Sequence, residues 1–98
     1  MFVHSVFFWL KEDLNEEERA NFKKGVESLL DCEGVVTGYI GTPAATTRPV
    51  VDSSYDISIA VVMADLAGHD KYQEDPIHLE FINTFKDYWT KVQIYDAD

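Results

Sequence analysis

Residues 2–10, Phe-Val-His-Ser-Val-Phe-Phe-Trp-Leu, predict a strand that is apolar on both of its faces. β-branched and aromatic side chains favour the extended chain. Alternation sends Phe2, His4, Val6, Phe8 and Leu10 one way, and Val3, Ser5, Phe7 and Trp9 the other. In a two-layer domain one apolar face is enough, so this strand needs a cover on its second side as well. A chain of 98 residues is long enough for one domain, spanning 1–98, and hides roughly 65% of its unfolded surface, enough for a single core.

The next segments supply that core. Asn15-Glu-Glu-Glu18 has the form of a capping box, with acid where a helix dipole favours it. The helix it opens points Phe22, Val26, Leu29 and Leu30 inward and Arg19, Lys23 and Glu27 outward, and Gly34 stops it. Val35–Gly41 reads as a second strand. Residues 42–53, with two prolines and no helical period, form a long connection suited to a cavity mouth or a subunit edge. Arg48 within it could meet an anionic ligand, though a solvated side chain is the commoner place for a loop arginine. Tyr55–Ala64 alternates strongly and is the third strand. Asp65 caps a short helix, Leu66 to about Gln73, and Asp75-Pro76 breaks and restarts it, since proline suits the first helical position. His78, Phe81, Ile82, Phe85 and Trp89 then recur at helical spacing on one stripe. Lys91–Asp96 alternates again and closes the sheet.

The order β-α-β-β-α-β is the split-βαβ, ferredoxin-like arrangement, an α+β fold of four antiparallel strands with helices on one face. The bare face then carries Phe7 and Trp9 beside small residues such as Ser58 and Ala60. Two such aromatics per subunit, at about 200 Å² each, hide about 800 Å² across a two-fold. That is on the order of 20 kcal/mol gross, an upper bound, against an association cost of about 4–15 kcal/mol. Sheet-on-sheet homodimerisation into a barrel-like pair is expected.

Eight basic against eighteen acidic residues leave a net charge of −10. This disfavours nucleic acid and anionic membrane surfaces as partners. Cys32 stands alone, which excludes an internal disulfide. No apolar run approaches membrane-spanning length and the start lacks a signal-peptide pattern, so a cytoplasmic setting is expected.

His78 carries the chemistry. It falls near the third position of its helix, where the dipole and apolar neighbours both favour neutral imidazole, the proton-accepting form. Tyr72, before the break, is near enough in sequence to donate a hydrogen bond to a developing oxyanion. His4 approaches from the sheet if its face points at the helices. A histidine on an apolar stripe serves equally well as a core hydrogen-bonding group, so packing and pocket both stand at this point. His69 is placed in solvent, and Cys32 at a helix end with no base beside it. His4, His78 and a carboxylate such as Asp75 could be assembled into a metal site, but no ligand pair shows zinc-like spacing, so neither a metal nor any other cofactor is assigned.

The strand Val3-His4-Ser5-Val6-Phe7, the segment Tyr72-x3-Pro76-x-His78, and Trp89 ahead of a final strand ending in Asp96 resemble the Dabb family of stress-responsive dimeric α+β barrel domains. The likeness runs over nearly the whole chain. It implies a ferredoxin-like protomer paired into a barrel. It also implies stress-related or small-molecule-linked roles, including, in a few plant members, polyketide cyclisation by intramolecular aldol condensation. In those members the residue matching His78 is the base, the one matching Tyr72 assists, and the one matching His4 lines the pocket. This chain departs from them at Ile57, where they carry a further histidine, and near Gly25, where they carry a tyrosine.

Two readings follow. The first is a small-molecule-binding barrel, extending to a lyase or cyclase, with His78 as base, Tyr72 as donor, and His4, Phe81, Ile57 and Phe8 lining a pocket for a hydrophobic or aromatic ligand. The second is a non-enzymatic dimeric barrel that acts through oligomer or partner contacts.

Overall fold

Three polar side chains set where the helices begin. Asn15 Oδ1 accepts from the Glu18 backbone N–H at 2.8 Å, and Glu18 returns the bond to Asn15 at 3.0 Å, completing the expected capping box. Asp65 accepts from Gly68 N–H at 2.9 Å and Asp75 from Ile77 N–H at 2.8 Å. In the computed structural model, which describes residues 1–98, these caps open α1 (Glu16–Ser28), α2 (Leu66–Glu74) and α3 (Pro76–Phe85). The α-helical part of α1 ends at Ser28, and a tighter 3₁₀ turn, Leu29–Asp31, carries the two leucines. Gly34 then takes φ +90°, and a Cβ there would lie 2.6 Å from the Gly68 carbonyl oxygen. Only glycine fits both demands.

The strands β1 (Phe2–Leu10), β2 (Val35–Gly41), β3 (Ile57–Met63) and β4 (Trp89–Ala97) form one antiparallel sheet in the order β2-β3-β1-β4. This is the ferredoxin-like α+β protomer. Phe2, His4, Val6 and Phe8 are buried beneath the helices with Ile57, Ile59, Val61 and Met63 of β3, and Phe22, Val26, Leu29 and Phe81 close the core from above.

Two boundaries differ from the sequence reading. The apolar stripe of α3 stops at Phe85, and Trp89 opens β4 opposite Leu10 instead of continuing the helix. Its ring still stacks on Phe81 at 6.0 Å, so the spacing marked a shared core position rather than a shared helix. Pairing with β1 satisfies the Trp89 backbone in place of another helical turn. β3 begins at Ile57, because Asp56 instead holds the end of β1: its carboxylate accepts from Leu10 N–H at 2.7 Å and its own N–H donates to the Phe8 carbonyl at 2.8 Å.

The connection between β2 and β3 folds back over part of the bare sheet face, beside side chains of β4. Trp9 Nε1 donates to Ser54 Oγ at 3.0 Å, the Tyr55 ring meets Phe7 at 5.0 Å, and Lys91 Nζ sits 4.5 Å over the Trp9 ring. Trp9 is therefore already partly covered within one chain. The large side chains this face leaves open are Tyr39 and Tyr95, 75% and 64% exposed. Arg48 is exposed, as expected.

Candidate functional site

The Asp75-Pro76 junction positions the site. One Asp75 oxygen caps α3 through Ile77 N–H, and the other accepts from Glu33 N–H at 2.8 Å, tying the start of α3 to the turn after α1. These two bonds, the Glu33 one first, hold the Asp75 carboxyl below its ordinary range. With its start pinned, α3 turns His78 and Phe81 toward the sheet, while α2 brings Tyr72 down beside them.

Between sheet and helices lies a partly open cavity of about 140 Å³. His4, Phe8, Tyr72, His78, Phe81 and Trp89 contribute to its wall. The Tyr72 ring meets His78 at 5.0 Å and His4 at 5.5 Å, both edge-on. His4, only 2% exposed, faces Asp96 directly across the β1–β4 ladder, and its Nδ1 lies 2.5 Å from Asp96 Oδ1. His78 Nδ1 is buried and has no hydrogen-bond partner.

The electrostatics separate the roles. Burial pushes the His78 imidazole below its ordinary value, with His4 and His69 adding to this and Asp75 opposing it. The ring is therefore neutral near pH 7 and able to accept a proton. Burial first, and then Cys32, pushes the Tyr72 phenol up, so it stays protonated as a donor. Cys32 is raised to about 11 by burial and then by Asp75, against the His78 backbone N–H, which works the other way. That leaves an inert thiol in the core.

Of the expected pocket residues, His4, Tyr72, His78, Phe81 and Phe8 come together and Ile57 does not. The sheet order explains the exception. The cavity wall uses β1 and β4, and β3 lies on the other side of β1, where Ile57 is buried core. Gly25 likewise offers no room for a larger residue, because a Cβ there would lie 2.3 Å from Phe85 Cε2.

His69 corrects the sequence reading more sharply. Its side chain is 17% exposed and its ring packs against Phe2 at 4.8 Å and His4 at 5.2 Å. The Asp65 cap fixes the rotation of α2, so His69, Tyr72 and Gln73 share its sheet-facing side. That i, i+3, i+4 spacing was the available signal. The result gathers His4, His69 and Asp96, with one potential ligand atom from each within 4.8 Å of the others.

The family model for the stress responsive A/B barrel domain, Dabb, matches residues 2–98. The chain belongs to the Dabb family. A Dabb family protein from Mesorhizobium loti, described as having a ferredoxin-like fold, superposes on this Dabb chain with a TM-score of 0.79 at 22% identity, covering 99% of this chain and 94% of that one. A protein of unknown function from Thermobifida fusca, described as dimeric and ferredoxin-like, gives 0.79 at 11% identity over 98% and 88%. The hydroxynitrile lyase from Passiflora edulis gives 0.78 at 17% identity over 98% and 90%. Among curated proteins, none matches this Dabb sequence. No helix of this Dabb domain is long and apolar enough to cross a membrane.

Proposed function

We propose that this Dabb protein binds a small, largely apolar molecule in the cavity beside His78, and that its pairing through the open sheet face makes a homodimeric barrel. The observation that carries the ligand reading is the unpartnered, buried His78 Nδ1 in a wall shared with Tyr72. An unsatisfied buried nitrogen costs about 1–3 kcal/mol, a burden that a ligand hydrogen bond relieves. The cavity, about 140 Å³, is the size that takes a single ring, since an apolar engineered cavity of about 150 Å³ binds benzene. A ring carrying a short carbonyl substituent suits it, with the Tyr72 hydroxyl donating to the carbonyl oxygen and His78 accepting from an acidic hydrogen.

The catalytic form of this reading is a cofactor-independent lyase or cyclase step. Neutral His78 removes a proton from the carbon next to the carbonyl, and Tyr72 donates to the oxygen that takes up the charge. The hydroxynitrile lyase shares the fold, which makes carbonyl chemistry in such a cavity a suitable first test. Acetophenone is the probe. Its binding is followed by shifts of the His78 and Tyr72 ring resonances, and its methyl hydrogens by exchange in D₂O. Saturable shifts lost in His78→Gln support the binding reading, and exchange lost in the same variant supports proton abstraction. Failure of acetophenone and other single-ring carbonyls to perturb either ring overturns both. A cytoplasmic setting, to which a free Cys32 thiol is suited, belongs to the same proposal.

A second reading, a non-enzymatic stress-type dimer, is favoured by the exposed Tyr39 and Tyr95 on the open face. It requires that His78→Gln leave the biological readout intact while disruption of that face abolishes it.

A further inference from the structure

We propose that His4, His69 and Asp96 form a site for one divalent transition-metal ion of the zinc, cobalt or nickel class, at the edge of the sheet next to the cavity. The three come from separate parts of the chain and meet because β1 and β4 pair His4 with Asp96 while α2 lays His69 over them. Their potential ligand atoms lie within 4.8 Å of one another. Around a tetrahedral zinc ion, ligands at about 2.0–2.2 Å stand about 3.3–3.6 Å apart. The triad, spread over up to 4.8 Å, is therefore about 1 Å too open in its widest separation, while His4 Nδ1 and Asp96 Oδ1, 2.5 Å apart, have to part to admit the ion. Binding therefore needs local rearrangement, for which Asp96, 38% exposed near the end of an edge strand, and the His69 side chain, 17% exposed, are the less buried members.

The surroundings prepare His69 as a ligand. Asp70 Oδ1 lies 3.2 Å from His69 Nδ1, and the Gln73 amide nitrogen 3.5 Å from Nε2. A carboxylate on Nδ1 holds the proton there and leaves the Nε2 lone pair outward, the arrangement that orients metal-bound histidines. The weak Gln73 contact is the one an ion displaces. His4 is held by Asp96 and by the edges of the His69 and Tyr72 rings. Two imidazoles and one carboxylate favour borderline ions over magnesium or calcium, which prefer all-oxygen sites. Three protein ligands leave a coordination position for water or another small ligand. The chain's net charge of −10 favours cation uptake generally, so the test has to separate this site from scattered surface carboxylates.

The test uses the full, metal-free chain. Cobalt(II) is titrated and followed by its visible absorption, and zinc is titrated against ¹⁵N-labelled protein to read the histidine rings. The expected result is saturation at one ion per chain, with the His4 and His69 ring nitrogens shifting on zinc addition. His69→Ala and Asp96→Asn, each checked for native circular dichroism, should weaken uptake at least tenfold. The wild-type ring shifts give a readout that does not depend on either variant folding. Uptake without saturation, zinc shifts confined to other residues, or unchanged affinity in both folded variants overturns the site. None of these readouts depends on a ligand in the neighbouring cavity.

Discussion

Replacing His78 with leucine isolates the free energy stored in the cavity wall. The wild-type ring buries Nδ1 without a partner, a penalty of about 1–3 kcal/mol that leucine removes. Leucine is also the better helix former by a few tenths of a kcal/mol. Against this stands the lost edge-on contact with Tyr72, at 5.0 Å, worth about 0.5–1.5 kcal/mol. The balance is a gain of about 1 kcal/mol, which for a domain of this size raises Tm by about 4–8 °C. Calorimetry of wild type and His78→Leu at pH 7.5 measures it, with acetophenone titrations alongside. The expected outcome is a protein that is more stable and no longer responds to the probe. A Tm lowered by several degrees would show that Nδ1 is satisfied in solution and that His78 serves the core. The pocket would then hold no unsatisfied imidazole for a ligand to engage.

Other perturbations probe the rest of the frame. Because His78 is depressed, the unfolded chain takes up a proton near its ordinary value of about 6.5 that the folded chain refuses. Stability should therefore be full above that value and fall as pH drops toward the folded pKa, with no further loss from this group below it. His78→Gln, compared with wild type in urea melts from pH 7.5 to 5, should remove that part of the slope; an unchanged slope assigns it to other groups. Gly34→Ala forces a side chain into φ +90° and against the Gly68 carbonyl, so a loss of about 2 kcal/mol or more is expected in the same assay. Tyr95→Asp places a charge on the open sheet face and should shift the chain from dimer to folded monomer by light scattering. A variant that stays dimeric places the contact elsewhere.

The sequence determined what depends on near neighbours. Asn15, Asp65 and Asp75 each accept from a backbone N–H two or three residues ahead, so the helix starts are local chemistry and were legible at once. Two-residue alternation likewise exposed both faces of β1 and supported the ferredoxin-like order, and the sequence linked Tyr72 to His78 through the Pro76 restart. Contacts between distant segments were decided only by the tertiary structure. Trp89 follows the helical stripe in spacing yet opens a strand, because a ladder partner 79 positions away satisfies its backbone. Ile57 fits a pocket list until the sheet order puts β3 on the far side of β1 from the cavity. The open face looked to rest on Phe7 and Trp9, but the 42–56 connection folds back on Trp9 and leaves Tyr39 and Tyr95 to the outside. His69 reads as a solvated residue until α2's rotation lays it on His4 and Asp96, which come from opposite ends of the chain. Spacing along a chain fixes which side chains share a face, but which faces meet depends on the simultaneous packing of every element.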